Sequence, residues 1–179
     1  MIITIKKYKG NYIFYENETY AFWAASDTKY FRETKKLFYN DILISEINTK
    51  FKLPLSCSYV IRFQNKLTEA YLKFKLFHQF KPTCLCRNDV YEIIPHRGNK
   101  TSIFKNDIQI AYYEEGSLDY FNNHGIKLVA NDDIDRELLF SFIVSLKCEF
   151  KNDDSDITYN LGNFSFTEKK KFDNDWKPI

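Results

Sequence analysis

Apolar and polar residues alternate with period two through most of the first 130 positions, a spacing that places every second side chain on one face of a strand. Strands are expected at Tyr12 to Tyr15, Thr19 to Ala24, Leu37 to Phe38, Ile42 to Ile47, Ser58 to Phe63, Thr83 to Cys86, Tyr91 to Ile94, Thr101 to Phe104, Ile108 to Tyr113 and Gly125 to Ala130. Turn chemistry such as Lys9-Gly10-Asn11 and Asn40-Asp41 separates them, at the spacing of a sandwich or barrel. Asn65 to Phe80 fits both periods. Leu67, Ala70, Tyr71, Phe74, Phe77 and His78 have helical spacing, whereas Leu72, Phe74, Leu76 and His78 alternate with Tyr71, Lys73, Lys75 and Phe77. A helix is preferred there, because an internal repeat aligns it with a helical segment further on.

That segment, Asp132 to Lys147, differs in kind. Asn131 or Asp132 can cap it, and Asp132, Asp133, Asp135 and Glu137 place negative charge where the helix dipole favours it, with Lys147 at the far end. At 100° per residue, Leu138, Leu139, Phe140, Phe142, Ile143, Val144 and Leu146 cover most of the circumference and leave only a narrow stripe of Ser141 and Ser145. A helix so apolar must be enclosed. In a chain otherwise made of strands, enclosure requires a sheet closed around it as a barrel.

The repeat is F-x-N-D-I-x-I. Phe38-Tyr39-Asn40-Asp41-Ile42-Leu43-Ile44 aligns with Phe104-Lys105-Asn106-Asp107-Ile108-Gln109-Ile110 at an offset of 104 minus 38, or 66. Asn and Asp tolerate positive φ, so each copy predicts a tight turn whose following Ile residues point into a shared core. The same offset places Leu72 and Phe74 on Leu138 and Phe140, and with a different loop length Asn17-Glu18-Thr19-Tyr20 resembles Asn88-Asp89-Val90-Tyr91.

The order Tyr91-Glu92-Ile93-Ile94, Ser102 to Ala111, Gly125-Ile126-Lys127-Leu128, then Asp135 followed by Glu137-Leu138-Leu139-Phe140 resembles the tubby C-terminal-like superfamily, and within it the LURP-one-related and phospholipid-scramblase-like proteins. The resemblance implies a mainly β fold: a closed antiparallel barrel of about twelve strands around a buried hydrophobic C-terminal helix. Residues 1–150 would form that barrel, with the helix at about 131–148. Residues 151–179 would be an extension beyond the usual end of the family, with a hairpin around Gly162 and a frayed tail from Glu168 in which Trp176 is the one anchor.

Composition then narrows the chemistry. Lys and Arg number 26 against 24 Asp and Glu, so the chain has no general field for nucleic acid or anionic membrane and any attraction must be local. The 17 Phe and 13 Tyr favour strands around a large aromatic interior. No stretch approaches the roughly 18 apolar residues of a transmembrane helix, and Met1-Ile2-Ile3-Thr4-Ile5-Lys6-Lys7 has the wrong order for a secretory signal. A cytoplasmic, reducing location is therefore expected, peripheral to a membrane where a lipid is bound, with Cys57, Cys84, Cys86 and Cys148 as structural thiols. Cys84-x-Cys86 with His78 and His96 is the best metal candidate, but the one-residue gap lacks the bite of a structural zinc site, and no metal or other cofactor is expected. Asp132, Asp133 and Asp135 lack the glycine and terminal glutamate of a calcium loop. No nucleophile elbow, phosphate loop or dinucleotide fingerprint is present, so the chain reads as non-enzymatic.

Because tubby-like proteins include phosphoinositide binders, the resemblance directs attention to basic residues. Lys73, Lys75, Lys81 and Arg87 are close in sequence, and Lys169-Lys170-Lys171 forms a second run. If residues 65–80 are a strand, Lys73 and Lys75 share a face with Tyr71, an anionic-lipid surface; if they are a helix, they diverge. The expected function is a ligand-binding module for phospholipid or phosphoinositide headgroups or acyl chains. The alternative is a protein-interaction or regulatory domain, for example a toxin-neutralising partner.

Overall fold

In a computed structural model, residues 1–9, 11–29, 32–52, 56–66, 68–75, 82–116, 125–147 and 170–179 are described. Twelve strands precede one helix: β1 (Ile2–Tyr8), β2 (Asn11–Glu16), β3 (Thr19–Lys29), β4 (Arg32–Tyr39), β5 (Ile42–Lys52), β6 (Ser56–Phe63), β7 (Glu69–Lys75), β8 (Thr83–Cys86), β9 (Asp89–Pro95), β10 (Lys100–Lys105), β11 (Ile108–Glu115), β12 (Gly125–Ala130) and α1 (Arg136–Lys147). Each strand pairs antiparallel with its neighbours in sequence, and β12 returns to β1 to close the barrel.

The helix fills the barrel. Leu138, Leu139, Phe140, Phe142, Ile143 and Val144 are all buried, none more than 3% exposed, so α1 has no wet side. Phe140 packs between Phe14 of β2 and Phe22 of β3, with ring centroids 4.7 and 5.0 Å away, and Phe142 meets Tyr91 of β9 edge-on. The serine stripe is enclosed too. Ser141 Oγ lies 2.8 Å from Ser45 Oγ on β5, and both helix serines donate to carbonyls one turn back, Glu137 O and Ser141 O.

Beside this stripe is a buried lysine. Lys35 on β4 is fully enclosed and donates from Nζ to Ser145 O in the last turn of α1, with Nζ 5.1 Å from the centre of the Tyr59 ring. Carbonyls of a last turn have no partner within their helix and gather the negative end of its dipole. A barrel-borne cation therefore supplies the C-terminal cap.

Three sequence expectations are corrected. Residues 69–75 form strand β7, not a helix: Ala70 and Leu72 are fully buried toward the core while Tyr71 and Lys73 are exposed. Second, the helix starts at Arg136 and its cap is Asp135, whose Oδ1 accepts the Leu138 N–H at 3.1 Å. Asn131 instead still belongs to the sheet, donating to Ile110 O, and Asp132 pairs with the Met1 amine at 2.6 Å, so the chain crosses the barrel end before it turns inward. Third, residues 170–179 are not frayed. Phe172 packs edge-on against His96 and Tyr112, Trp176 donates to Gln109 O, and Ile179 N donates to Asn131 Oδ1. They cover an outward-facing row of the sheet in which Ile94, Ser102, Tyr112 and Val129 are in register. The expected hairpin around Gly162 lies outside the described residues. Strand β1 was not among the sequence-expected strands, because Ile2 on its outer face hides the alternation of Ile3 and Ile5.

The repeat is realised down to irregularities of register. Asn40-Asp41 and Asn106-Asp107 all take positive φ, between 47° and 71°. Register slips between Leu37 and Phe38 on β4 and between Ile103 and Phe104 on β10, which are again 66 apart. The slips leave Ile44 and Ile110 as bulge residues turned toward the interior. Contrary to expectation, the first Ile of each copy stays outside: Ile42 is 66% and Ile108 69% exposed. The units that repeat are β1 to β6 and β7 to β12, so β7 corresponds to β1, and α1 has no counterpart.

Replacing Phe140 with Asp places an unpaired carboxylate among aromatic rings at a cost of several kcal/mol, against a total stability of about 5 to 15; loss of the cooperative melt by circular dichroism is expected. Lys35→Ala, which strands the Ser145 carbonyl and opens a void, should destabilise by roughly 2 to 4 kcal/mol in urea titration, and Lys35→Met by less. Equal costs would show that Nζ contributes nothing.

Candidate functional site

The ends of the barrel differ. The turns at 17–18, 40–41, 87–88 and 106–107 and the crossing at 131–135 gather at the end where the N-terminus of α1 sits, here called the mouth. Lys73 and Arg87 are therefore separated. Lys73 pairs with Thr83, whereas Cys86, the residue before Arg87, pairs with Ala70 three positions away along β7. Arg87 is at the mouth, and Lys73 lies toward the opposite end. The four-residue basic cluster Lys73, Lys75, Lys81 and Arg87 is thus not one site. Lys81 and the side chain of Lys75 lie outside the described residues.

What the sheet does bring together was not anticipated. Lys50 and Lys73 are register partners of Ser58 from its two sides, and Lys52 and Lys75 are register partners of Ser56. In-register positions share a face of a sheet, and Lys73 identifies it as the outer face, where Tyr71 is 44% and neighbouring Leu85 46% exposed. The missed signal is the tripeptide Lys-Phe-Lys, present at 50–52 and again at 73–75. Lys170 of the tail has a different role: it pairs with Glu92 and Asp107.

The mouth holds a cleft of about 410 Å³. Its walls are Phe63 at the end of β6, Lys66 and Thr68 after it, Cys86, Arg87, Asp89 and Tyr91 from the β8–β9 hairpin, and Lys105, Asn106, Ile108 and Ile110 from β10–β11, closed by Asn131, Asp133, Ile134, Asp135 and Leu138. Most of its charges are already matched. Lys66 bridges Asp135 at 3.0 Å and Glu137 at 2.8 Å; burial works against its charge, but these bonds outweigh it and raise its pKa. Asp89 accepts from Lys105 and from Asn106 Nδ2, which hold its carboxyl below the ordinary range. Arg87 makes no ion pair or hydrogen bond among the described residues.

Cys84 and Cys86 are free and buried, and burial pushes both thiols up, Cys84 furthest. They are therefore thiols rather than thiolates near neutral pH, the less nucleophilic form. His96 is on the other side of the wall, against Ser102 and the tail, and His78 lies outside the described residues. Among the described residues no group of three His, Cys, Asp or Glu is placed to hold a metal, and no helix is long and apolar enough to cross a membrane.

No family model, curated protein or solved structure matches this chain.

Native protein treated with iodoacetamide should leave Cys84 unlabelled by peptide mass mapping, with labelling appearing through the unfolding transition. Labelling at the rate of a free thiol in the folded state would place Cys84 at the surface.

Proposed function

We propose that the chain is a non-enzymatic binding module that docks on anionic phospholipid headgroups through the outer face of β5, β6 and β7. The observation that carries this reading is the register of Lys50 and Lys52 on β5 with Lys73 and Lys75 on β7, across Ser58 and Ser56. Strands are about 4.8 Å apart and alternate residues about 6.7 Å apart, so the four positions define a patch of headgroup dimensions. Each lysine near an anionic surface contributes about 1 kcal/mol. Tyr71 and Leu85, exposed beside Lys73, supply the amphipathic and apolar contacts that an interface favours.

The distribution of charge supports the orientation. Glu16, Glu18, Asp41, Asp89, Asp107, Asp132 and Asp133 belong to the mouth, where Lys66, Arg87 and Lys105 offset them in part, whereas Lys29, Arg32, Lys50, Lys52, Lys73 and Lys75 fall at the opposite ends of their strands, beside Asp27 and Glu33. A formal charge of only +2 thus conceals a polarised barrel, and polarity of this kind orients a protein at a charged surface. The closed twelve-strand barrel around one apolar helix is also the architecture that the tubby-like resemblance implies, and it supports reading the chain as a distant relative of that superfamily.

Sedimentation with vesicles tests the proposal. Wild-type protein should pellet with phosphatidylcholine vesicles containing phosphatidylserine or a phosphoinositide, not with phosphatidylcholine alone, and less as salt rises. Lys73→Ala with Lys75→Ala should lower affinity roughly thirtyfold, as should the Lys50→Ala and Lys52→Ala pair. Wild-type protein that remains in the supernatant, or variants that pellet like wild type, would remove the reading.

A further inference from the structure

From the mouth cleft, at the other end of the barrel, we infer a second site that takes a small amphiphilic monoanion, such as a medium-chain carboxylate, with its carboxylate on Arg87 and its apolar body inside.

The backbone first marks Arg87. Four hairpins at the mouth turn through two residues, and the first turn residue takes positive φ in each: Asn17 at 48°, Asn40 at 47°, Asn106 at 48° and Arg87 at 55°. Asn tolerates this conformation and Arg has no such aptitude, so an arginine there is held at a local cost. Lys9 and Glu18 share that region in their own turns, and Arg87 differs from Lys9 and Glu18 in lining the cleft, where such a conformation has a use. Arg87 is also the cleft-lining cation that no carboxylate bridges among the described residues, since Lys66 and Lys105 are committed to Asp135, Glu137 and Asp89.

The space itself has a cause. Three of these hairpins carry a bulge that places Ala21, Ile44 or Ile110 at the unpaired position, whereas β8–β9 keeps unbroken register from Thr83↔Glu92 to Cys86↔Asp89. The β8–β9 hairpin supplies no bulge residue of its own to the mouth, and the cleft of about 410 Å³ opens between it and the bulge residue Ile110, within the range of small-ligand sites. Its depth is apolar, with Tyr91 and Leu138 buried at 7% and 3% exposure, and its lip carries Ile108, 69% exposed.

Charge selects the ligand class. One guanidinium without an ion-pair partner lines a cleft that also holds Asp89, Asp133 and Asp135, so a polyanion would meet several times the repulsion that a single negative charge meets, with no further unbridged cation to offset it. The planar fork of arginine suits a carboxylate bound through two parallel hydrogen bonds. This requirement differs from that of the lysine face, where several cations meet several phosphates.

Displacement of 1-anilinonaphthalene-8-sulfonate from the folded protein, followed by fluorescence without vesicles, tests the site with decanoate and decanol as competitors. Decanoate should compete at concentrations roughly tenfold lower than decanol, as a charge-assisted pair requires. In Arg87→Asn, which restores the residue of the other three turns, that preference should vanish while the melting temperature holds or rises. Ile108→Asp, at an exposed position, should weaken both competitors, and Lys73→Ala with Lys75→Ala should change neither, which separates this site from the headgroup surface. Failure of the folded wild type to bind the dye or decanoate, or an undiminished preference for decanoate in Arg87→Asn, would overturn the inference.

Discussion

Enclosure of α1 is the constraint from which the rest of the molecule follows. Side chains that are apolar around nearly the whole circumference demand contacts in every direction, and a flat sheet meets only one. Closure of β12 onto β1 satisfies them. It also obliges the interior to answer the polar groups that the helix brings with it. Ser45 answers Ser141, and Lys35 answers the Ser145 carbonyl. Buried polar groups are tolerated only when paired, so these contacts fix the depth and rotation of the helix, which its greasy surface alone would leave loosely specified.

Much of this was legible in the pattern of residues. The all-round apolar segment implied the barrel, and ten of its strands followed from alternation, β8 and β12 to the residue. The repeat also proved physical, since its two Asn-Asp turns and their bulges fall 66 residues apart. It misled at β7, where extending the offset past the sixth strand set a strand against the helix. The seventh strand restarts the unit, so α1 is an addition to the repeat. That limit was hidden because Tyr71, Phe74 and Phe77 satisfy helical spacing as well as strand spacing.

The candidate sites were less legible, for a reason of geometry. Proximity along a chain predicts proximity in space only within one element. Arg87 and Lys73 are near in sequence, yet β8 carries Arg87 to the mouth while Lys73 lies toward the opposite end. Lys50 and Lys73, by contrast, are distant in sequence and stand on either side of Ser58. The paired Lys-Phe-Lys tripeptides were visible from the start, but their meaning depended on register, which local pattern does not supply. The cleft had no sequence signal at all, because what distinguishes β8–β9 is a bulge that it lacks.

The place of α1 in chain order carries a consequence for biogenesis. The plug of the barrel is synthesised after every strand, so eleven or twelve strands leave the ribosome with nothing to wrap, and their inward rows of Ile, Leu and Phe must wait. The seam between the first strand and the last can zip only around a helix already in place. Closure therefore follows the synthesis of α1, and the open sheet depends on whatever shields it until the helix arrives.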